Sequence, residues 1–383
     1  MRVVGGRAAF GLLVLLPALA AAGTLEVQIL GSGGPRPSGQ ASSGALVLLD
    51  GKARILVDAG AGTFLRAGEQ NVDLSGLDTV LLTHLHTDHS VEVPAFVTAR
   101  SLDGTSPVQV RLFGPPGNSL FPSTTRWADR LFGTDGIYRY VRQFGAETRV
   151  VASNVAPAAG KSARLLEVDG AVVTGRTLHH GDAPAVGYRI EREGRSVVFA
   201  GDIDPKGLPS LEVLAKGADL LVVSCAVLDP PGSPEALYVR HSPPRLLGES
   251  AARAGVGKLL LTHLPPAVLA ERGQVEASVK SAFASGATFA TDGVRVPVEA
   301  GQSPEATNAP LAVGCRSDAD CGKGLVCESC GQATSCVPGC RTAADCPGGQ
   351  ACLRVDCIRC PCPKLCSGSR PPASPAPPGA VSQ

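Results

Sequence analysis

Three histidines and an aspartate, His84, His86, Asp88 and His89, crowd the stretch THLHTDH directly behind the apolar run Val80-Leu81-Leu82. Neutral imidazole and carboxylate are donor types that zinc accepts, and a loop leaving a strand can deliver all four to one spot. Side chains alternate along an extended strand end, so His84 and His86 project to the same side, and Asp88 and His89 follow as the chain turns toward the next helix. Histidine is scarce, with 7 in 383 residues, and the others fall in comparable settings. His179 and His180 stand at a strand-to-loop transition in LHHGDAPAVGYRIE, Asp202 closes SVVFAGD, and His263 closes the apolar run of LLLTHLPP. Loops at strand ends are where α/β sheets usually build their sites. A single zinc needs three or four such groups, and this chain has enough for two.

Strands must carry these residues to their places. The runs LEVQIL, ALVLL, ARILVD, TVLLTH and VQVRLF read as strands, as do AVVTGRTL, AVGYRIE, SVVFAGD, DLLVVS, KLLLTH and ATFA. Between them AGTFLRAGEQ, PSLEVLAKG, PPRLLGESAARAG and GQVEASVKSAFASG read as helices. Strands interleaved with helices imply sheets covered by helices, an α/β layered domain over residues 24–299. Periodicity does not say which strand pairs with which.

The flanks differ in composition. Arg2 and Arg7, the apolar stretch 8–16 and the small-residue run 18–23 have the order of a secretory signal, so residues 1–22 are expected to be removed on export to the periplasm or outside the cell. The apolar stretch is shorter than the ~20 residues of a spanning helix, and no later run is long enough to span, so no membrane span is expected in the mature chain. All 13 cysteines except Cys225 lie between Cys315 and Cys366. There CRSDADCGKGLVC and CRTAADCPGGQAC repeat cysteine, arginine, alanine, aspartate and glycine in register. Such density suits a disulfide-rich module at 315–366, and the absence of histidine there weighs against zinc knuckles. Residues 300–314 read as a linker, and the Pro/Ser/Ala tail 367–383 as disordered. Lys plus Arg, 35, nearly cancels Asp plus Glu, 34, so bulk charge implies no nucleic-acid or acidic-membrane partner. Between Phe121 and Arg149 arginines alternate with Asp129, Asp135 and Glu147, the pattern of a solvated helical surface.

Residues 24–299 resemble the metallo-β-lactamase fold superfamily, whose H-x-H-x-D-H signature stands here as His84, His86, Asp88 and His89. GSGGPRPSGQASSG, LVDAGAG with Asp58, LFGPPG, HGDAPAVGYRIE, VVFAGD and LLLTHLPP follow the superfamily in the same order. The nearest likeness is to the ribonuclease Z-like and arylsulfatase-like branch, which implies an αββα sandwich and a metal-dependent hydrolase with two zinc ions per chain. The resemblance implies His84, His86 and His180 on one ion, Asp88, His89 and His263 on the other, and Asp202 between them, with Asp58 orienting ligands. It selects His180 over His179, which has no role in the family. Asp88 joins His241, in the motif YVRHSPPRLL, as a catalytic candidate, His241 as a general acid or a transition-state contact.

The chain also departs from that branch. Ribonuclease Z enzymes carry an H-E-A-T segment whose glutamate relays protons with the later histidine, whereas this chain has Ser224-Cys225-Ala226-Val227. The expectation is therefore an exported two-zinc hydrolase of phosphodiesters or sulfate esters, acting on a small-molecule or polymer ester, with no nucleic acid as partner. A lactonase- or thioesterase-type hydrolase is the alternative. A further one is a binding protein in which the cysteine-rich repeats attach to a surface or a protein.

Overall fold

The computed structural model describes residues 23–103 and 107–301, together with four short strand segments beyond residue 324. The first sheet holds β1 (Leu25–Gly31), β2 (Gly44–Leu49), β3 (Lys52–Ala59), β4 (Thr79–Leu81), β5 (Val108–Gly114) and β6 (Thr148–Asn154). The second holds β7 (Ala163–Val168), β8 (Ala171–His180), β9 (Ala183–Arg192), β10 (Arg195–Gly201), β11 (Leu220–Ser224), β12 (Lys258–Thr262) and β13 (Thr288–Phe289). Strand β14 (Arg295–Pro297) returns to the first sheet, whose order is β14-β1-β2-β3-β4-β5-β6; the second runs β13-β12-β11-β10-β9-β8-β7.

The two sheets share a plan. Antiparallel hairpins form one half of each, β1-β2-β3 and β7-β8-β9-β10, and parallel strands form the other, β3 to β6 and β10 to β13. Parallel pairing needs crossovers, which the helices supply. These are α1 (Thr63–Glu69), α2 (Thr87–Ser90), α3 (Val93–Leu102), α4 (Thr124–Phe132) and α5 (Val141–Phe144) beside the first sheet. With the second run α6 (Leu208–Leu214), α7 (Glu235–Tyr238), α8 (Pro244–Ala254), α9 (Pro266–Ala270) and α10 (Arg272–Lys280). β6, β7 and β14 are strands that the apolar runs did not announce.

Three cores separate the layers. Val27, Val47 and Val57 of the first sheet meet Tyr188, Val197 and Phe199 of the second between the sheets. Leu46, Leu56, Phe96 and Val97 join the first sheet to its helices, and Leu211, Leu247, Leu259 and Val275 join the second to its own. The result is a helix-sheet-sheet-helix sandwich, with both faces of each sheet buried. Helix α1 starts on a carboxylate: Glu92 accepts from the backbone N–H groups of Gly62 and Phe64, each at 2.7 Å. A negative group at that end stabilises the helix and ties it to the turn before α3.

The chain divides into two compact units, Met1–Glu305 and Ala306–Gln383. In the second, β15 (Leu325–Cys330) pairs antiparallel with β16 (Ala333–Pro338), and β17 (Cys352–Arg354) with β18 (Lys364–Cys366). The expected signal segment 1–22, most of the linker 300–314, the disulfides of 315–366 and the tail 367–383 lie outside the described residues. Among the described residues no helix is long and apolar enough to cross a membrane.

Candidate metal centre

The parallel strands end on one side, and the donors gather there. β4 stops at Leu81, and the chain runs through Thr83 and His84 to His86, which is extended (φ −64°, ψ 152°) as it enters α2 with Asp88 and His89. The second sheet holds this loop from below. Tyr188 Oη donates to the Leu82 carbonyl and the Val186 N–H to the Thr83 carbonyl, both at 2.8 Å. Asp202 follows β10 directly after Gly201, whose φ is +60° and whose Cβ, if present, would stand 2.5 Å from Thr83 Oγ1. Only glycine lets the backbone pass there. His180 is the last residue of β8 and His263 the first after β12. His263 and Asp58 both hold left-handed backbone, at φ 56° and 58°. Non-glycine residues keep such conformations where their surroundings over-determine them.

His263 has a visible backstop. A Cβ on Gly34 would lie 2.8 Å from its Cε1. The loop bearing Gly34 is anchored by Asp292, which accepts from the N–H groups of Ser32 at 2.9 Å and Ala41 at 2.8 Å.

Donor atoms of His84, His86 and His180 lie within 4.8 Å of one another, as do those of Asp88, His89 and His263. Asp202 belongs to both neighbourhoods, grouping with His84 and His89 and also with His180 and His241. Its Oδ2 is 3.4 Å from His263 Nε2 and 3.6 Å from His180 Nε2, and its Oδ1 is 3.7 Å from His89 Nε2. Asp88 Oδ2 stands 3.1 Å from His263 Nε2 and 3.6 Å from His89 Nε2.

Hydrogen bonds on the outer sides of the rings decide which nitrogen faces inward. Asp58 Oδ2 is 2.8 Å from His89 Nδ1, and a carboxylate can only accept, so Nδ1 carries a proton and Nε2 is the nitrogen turned toward the centre. Asp58 also accepts from the Thr83 N–H and hydroxyl, both at 2.7 Å. With its proton committed, Thr83 Oγ1 accepts from His84 Nδ1 at 3.1 Å, and the Arg240 carbonyl accepts from His180 Nδ1 at 2.7 Å. Three rings are thus set with Nε2 facing inward, the orientation that metal-binding histidines take from their outer partners.

The charges follow. Burial, reinforced by His89, pushes His84 well below the ordinary histidine value, and burial with His180 lowers His86. For His89 burial acts downward, but Asp202 and Asp58 overcome it and raise the ring to about 9, so near pH 7 Nε2 also holds a proton, which a bound cation would displace. Burial alone would raise Asp202, yet His263 and His89 hold it well below the carboxylate range.

A cation fits this donor set. A tetrahedral zinc with ligands at about 2.0–2.1 Å sets neighbouring ligand atoms roughly 3.3–3.4 Å apart; the carboxylate-to-imidazole separations of 3.1 to 3.7 Å bracket that spacing. His84 Nε2, with the ring's proton on Nδ1, accepts from His86 Nδ1 at 2.9 Å, a proton that a cation bound to both rings would replace. Buried His89 Nε2 has no hydrogen-bond partner and points toward Asp88 and Asp202.

His241 lies at the same centre, with Nδ1 3.9 Å from Asp202 Oδ2 and no hydrogen-bond partner. Burial, partly opposed by Asp202, pushes it down to about 4, so the ring is neutral near pH 7. Cys225 offers it nothing. The thiol is buried, pushed up to about 12 by desolvation, and among the described residues its hydrogen-bond partner is the Val227 carbonyl at 4.0 Å. His179 is half-exposed and bonds Asp204 at 2.5 Å, a contact that fixes the turn after Asp202. Three residues at the site escaped the sequence reading: Thr83, Asp204, and Ser224, whose hydroxyl donates to Asp202 Oδ1. Their sole signal was position, each at or just beyond a strand end.

Residues 53–264 match the family model described as beta-lactamase superfamily domain. The ribonuclease Z of Mycobacterium bovis (strain BCG / Pasteur 1173P2) is 34% identical over 258 residues, 64% of this chain and 87% of that protein. That of Mycobacterium marinum (strain ATCC BAA-535 / M) is 32% identical over 290 residues, 72% of this chain and 99% of that protein. Among solved structures, the short form of human tRNase Z superposes with a TM-score of 0.56 at 21% identity, covering 72% of this chain and 99% of that one.

Proposed function

The chain belongs to the metallo-β-lactamase fold hydrolases, close to ribonuclease Z, and on that premise we propose that it is an exported, two-zinc phosphodiester hydrolase. As a member it is a metal-dependent hydrolase. The observation that carries the finer reading is Asp202, which stands within 3.4 to 3.7 Å of His263, His180 and His89 and so belongs to both donor groups. His84, His86 and His180 would hold one ion, Asp88, His89 and His263 the other, and Asp202 both. Bound there, the ions supply a water of lowered pKa and neutralise the charge that develops on a phosphoryl oxygen.

The remaining steps belong to the chain's own residues. Asp58 and Thr83 keep His84 and His89 in the tautomers that face inward, and Ser224 keeps Asp202 turned toward the centre. His241, neutral, offers one N–H to the group being transferred or to its leaving oxygen. A leaving alkoxide needs a proton as it departs, and a positioned acid contributes about 10²- to 10⁴-fold. Without a carboxylate at position 225, His241 is a weak acid catalyst, and esters with good leaving groups are favoured.

The relatives' name speaks for RNA and weighs against the sequence-based expectation of no nucleic-acid partner. What sets this chain apart from them is Cys225 together with the expected export, supported by residues 1–22 and the cysteine density at 315–366. The test is a panel on the zinc-loaded full-length protein: bis-nitrophenyl phosphate, nitrophenyl sulfate, a lactone, a β-lactam and a pre-tRNA with a 3′ trailer. The bis-aryl phosphate should turn over fastest. A preference for sulfate or lactone would overturn the phosphodiester reading, and efficient trailer cleavage would overturn the restriction to easily leaving groups.

A further inference from the structure

The donors face a cavity of about 510 Å³ whose wall includes Pro35, Phe121, Arg240 and His241. Among the described residues Arg240 is the sole lysine or arginine in that wall. Its backbone is committed, since its carbonyl accepts from His180 Nδ1 at 2.7 Å, so the residue cannot drift from the centre. Its side-chain stem is also placed: a Cβ on Gly181, at φ +55°, would lie 3.0 Å from Arg240 Cγ and 3.7 Å from its Nε. Yet among the described residues the guanidinium makes neither a hydrogen bond nor an ion pair. Arg189, Arg192, Arg245 and Arg253 pair with carboxylates, Arg176 bonds the Ser210 and Ser162 hydroxyls and Arg272 lies over the Phe289 ring, whereas the exposed Arg240 side chain faces the metal-site cavity.

A planar fork of donors left open at the mouth of a hydrolytic site is matched by an oxyanion, which it can grip with two parallel bonds. The reacting phosphodiester lies at the donor cluster in our functional reading, so the guanidinium is free for a second group. Phe121 stands across the entrance with its ring edge-on to His86 at 5.4 Å, giving the intervening part of a ligand an apolar surface. Resting on that reading, we propose that Arg240 is a specificity residue that binds a second, non-reacting anionic group, so that the substrate is a phosphodiester carrying a further phosphate or carboxylate near the scissile bond. This distinguishes such molecules from simple diesters by charge at a fixed place rather than by the chain's overall balance, which is close to zero.

The experiment compares ligands that differ by one anionic group, on the zinc-loaded full-length protein and on Arg240→Ala and Arg240→Lys. Calorimetric titration with thymidine 3′,5′-bisphosphate and thymidine 5′-monophosphate reads binding without turnover. The wild type should bind the bisphosphate about tenfold more tightly, the size of one partly exposed charge-assisted contact. Arg240→Ala should erase that preference with zinc content unchanged, and Arg240→Lys should restore part of it. The kinetic arm uses the nitrophenyl esters of the 5′-phosphate with and without a 3′-phosphate, where the ratio of their kcat/KM values should fall about tenfold in Arg240→Ala, through KM. No preference in the wild type, or an undiminished preference in Arg240→Ala, overturns the proposal. Failure of the wild type to hydrolyse either ester would sink the phosphodiester reading instead, while the titration still decides on Arg240.

Discussion

Replacing Asp58 by asparagine should weaken metal binding without unfolding the protein. The carboxylate is buried, 4% exposed, and takes three donors: the Thr83 N–H, the Thr83 hydroxyl and His89 Nδ1–H. Asparagine keeps the shape and tolerates the left-handed backbone at φ 58°, so the main chain is not the cause of any loss. Its one oxygen can continue to serve the Thr83 N–H, which puts the amide NH₂ where Oδ2 now meets His89. Two donors then confront each other. The cheapest relief is for His89 to move its proton to Nε2, the nitrogen that faces Asp88 and Asp202 at 3.6 and 3.7 Å. A protonated Nε2 cannot bind a metal. Returning His89 to the metal-binding tautomer then costs the neutral amide-to-imidazole bond, about 0.5–1.5 kcal/mol, and sets the two donors against each other again; outer partners of this kind are worth roughly 10- to 100-fold in metal affinity. Competition for zinc against a chromophoric chelator should show a Kd raised by that factor, with cooperative unfolding of the metal-free protein retained by circular dichroism. Affinity within twofold of the wild type would refute the tautomer argument.

Three further outcomes follow from the same geometry. Asp202→Ala removes the carboxylate common to both donor groups, so metal content and turnover should fall together, and a variant with full turnover would show that the groups do not share it. His241→Ala should cost about tenfold or more with an alkyl leaving group but only a few-fold with nitrophenyl; equal losses measured in parallel assays would reject the acid role and leave His241 as a binding contact. A chain ending near residue 300 should fold, bind zinc and hydrolyse small esters, because the first compact unit closes at Glu305; loss of zinc binding on truncation would mean that the later segment completes the site.

The donors were legible because their types are rare and their positions follow apolar runs. His180, Asp202 and His263 stand at or directly after strand ends, and His84 and His86 lie between β4 and α2, which carries Asp88 and His89. Pairing was not legible, since alternation describes one strand's faces and not its neighbours. β6 was hidden because TRVVASN is an edge strand, half-exposed, with arginine and asparagine in place of a continuous apolar run. The segment from Phe121 to Arg149, read as a solvated helical surface, does form α4 and α5, but its last residues enter β6. Thr83, Ser224 and Asp204 were missed for a different reason. Hydroxyls and aspartates are common beyond strand ends, and only the distances to Asp58, Asp202 and His179 separate these from the rest.

Metal stoichiometry tests the central claim most directly, because the reading rests on two donor groups meeting at Asp202. Purified, correctly folded protein loaded with zinc and freed of excess metal by gel filtration should contain about two zinc ions per chain by elemental analysis. Fewer than one per chain, with the fold intact by circular dichroism, would contradict it.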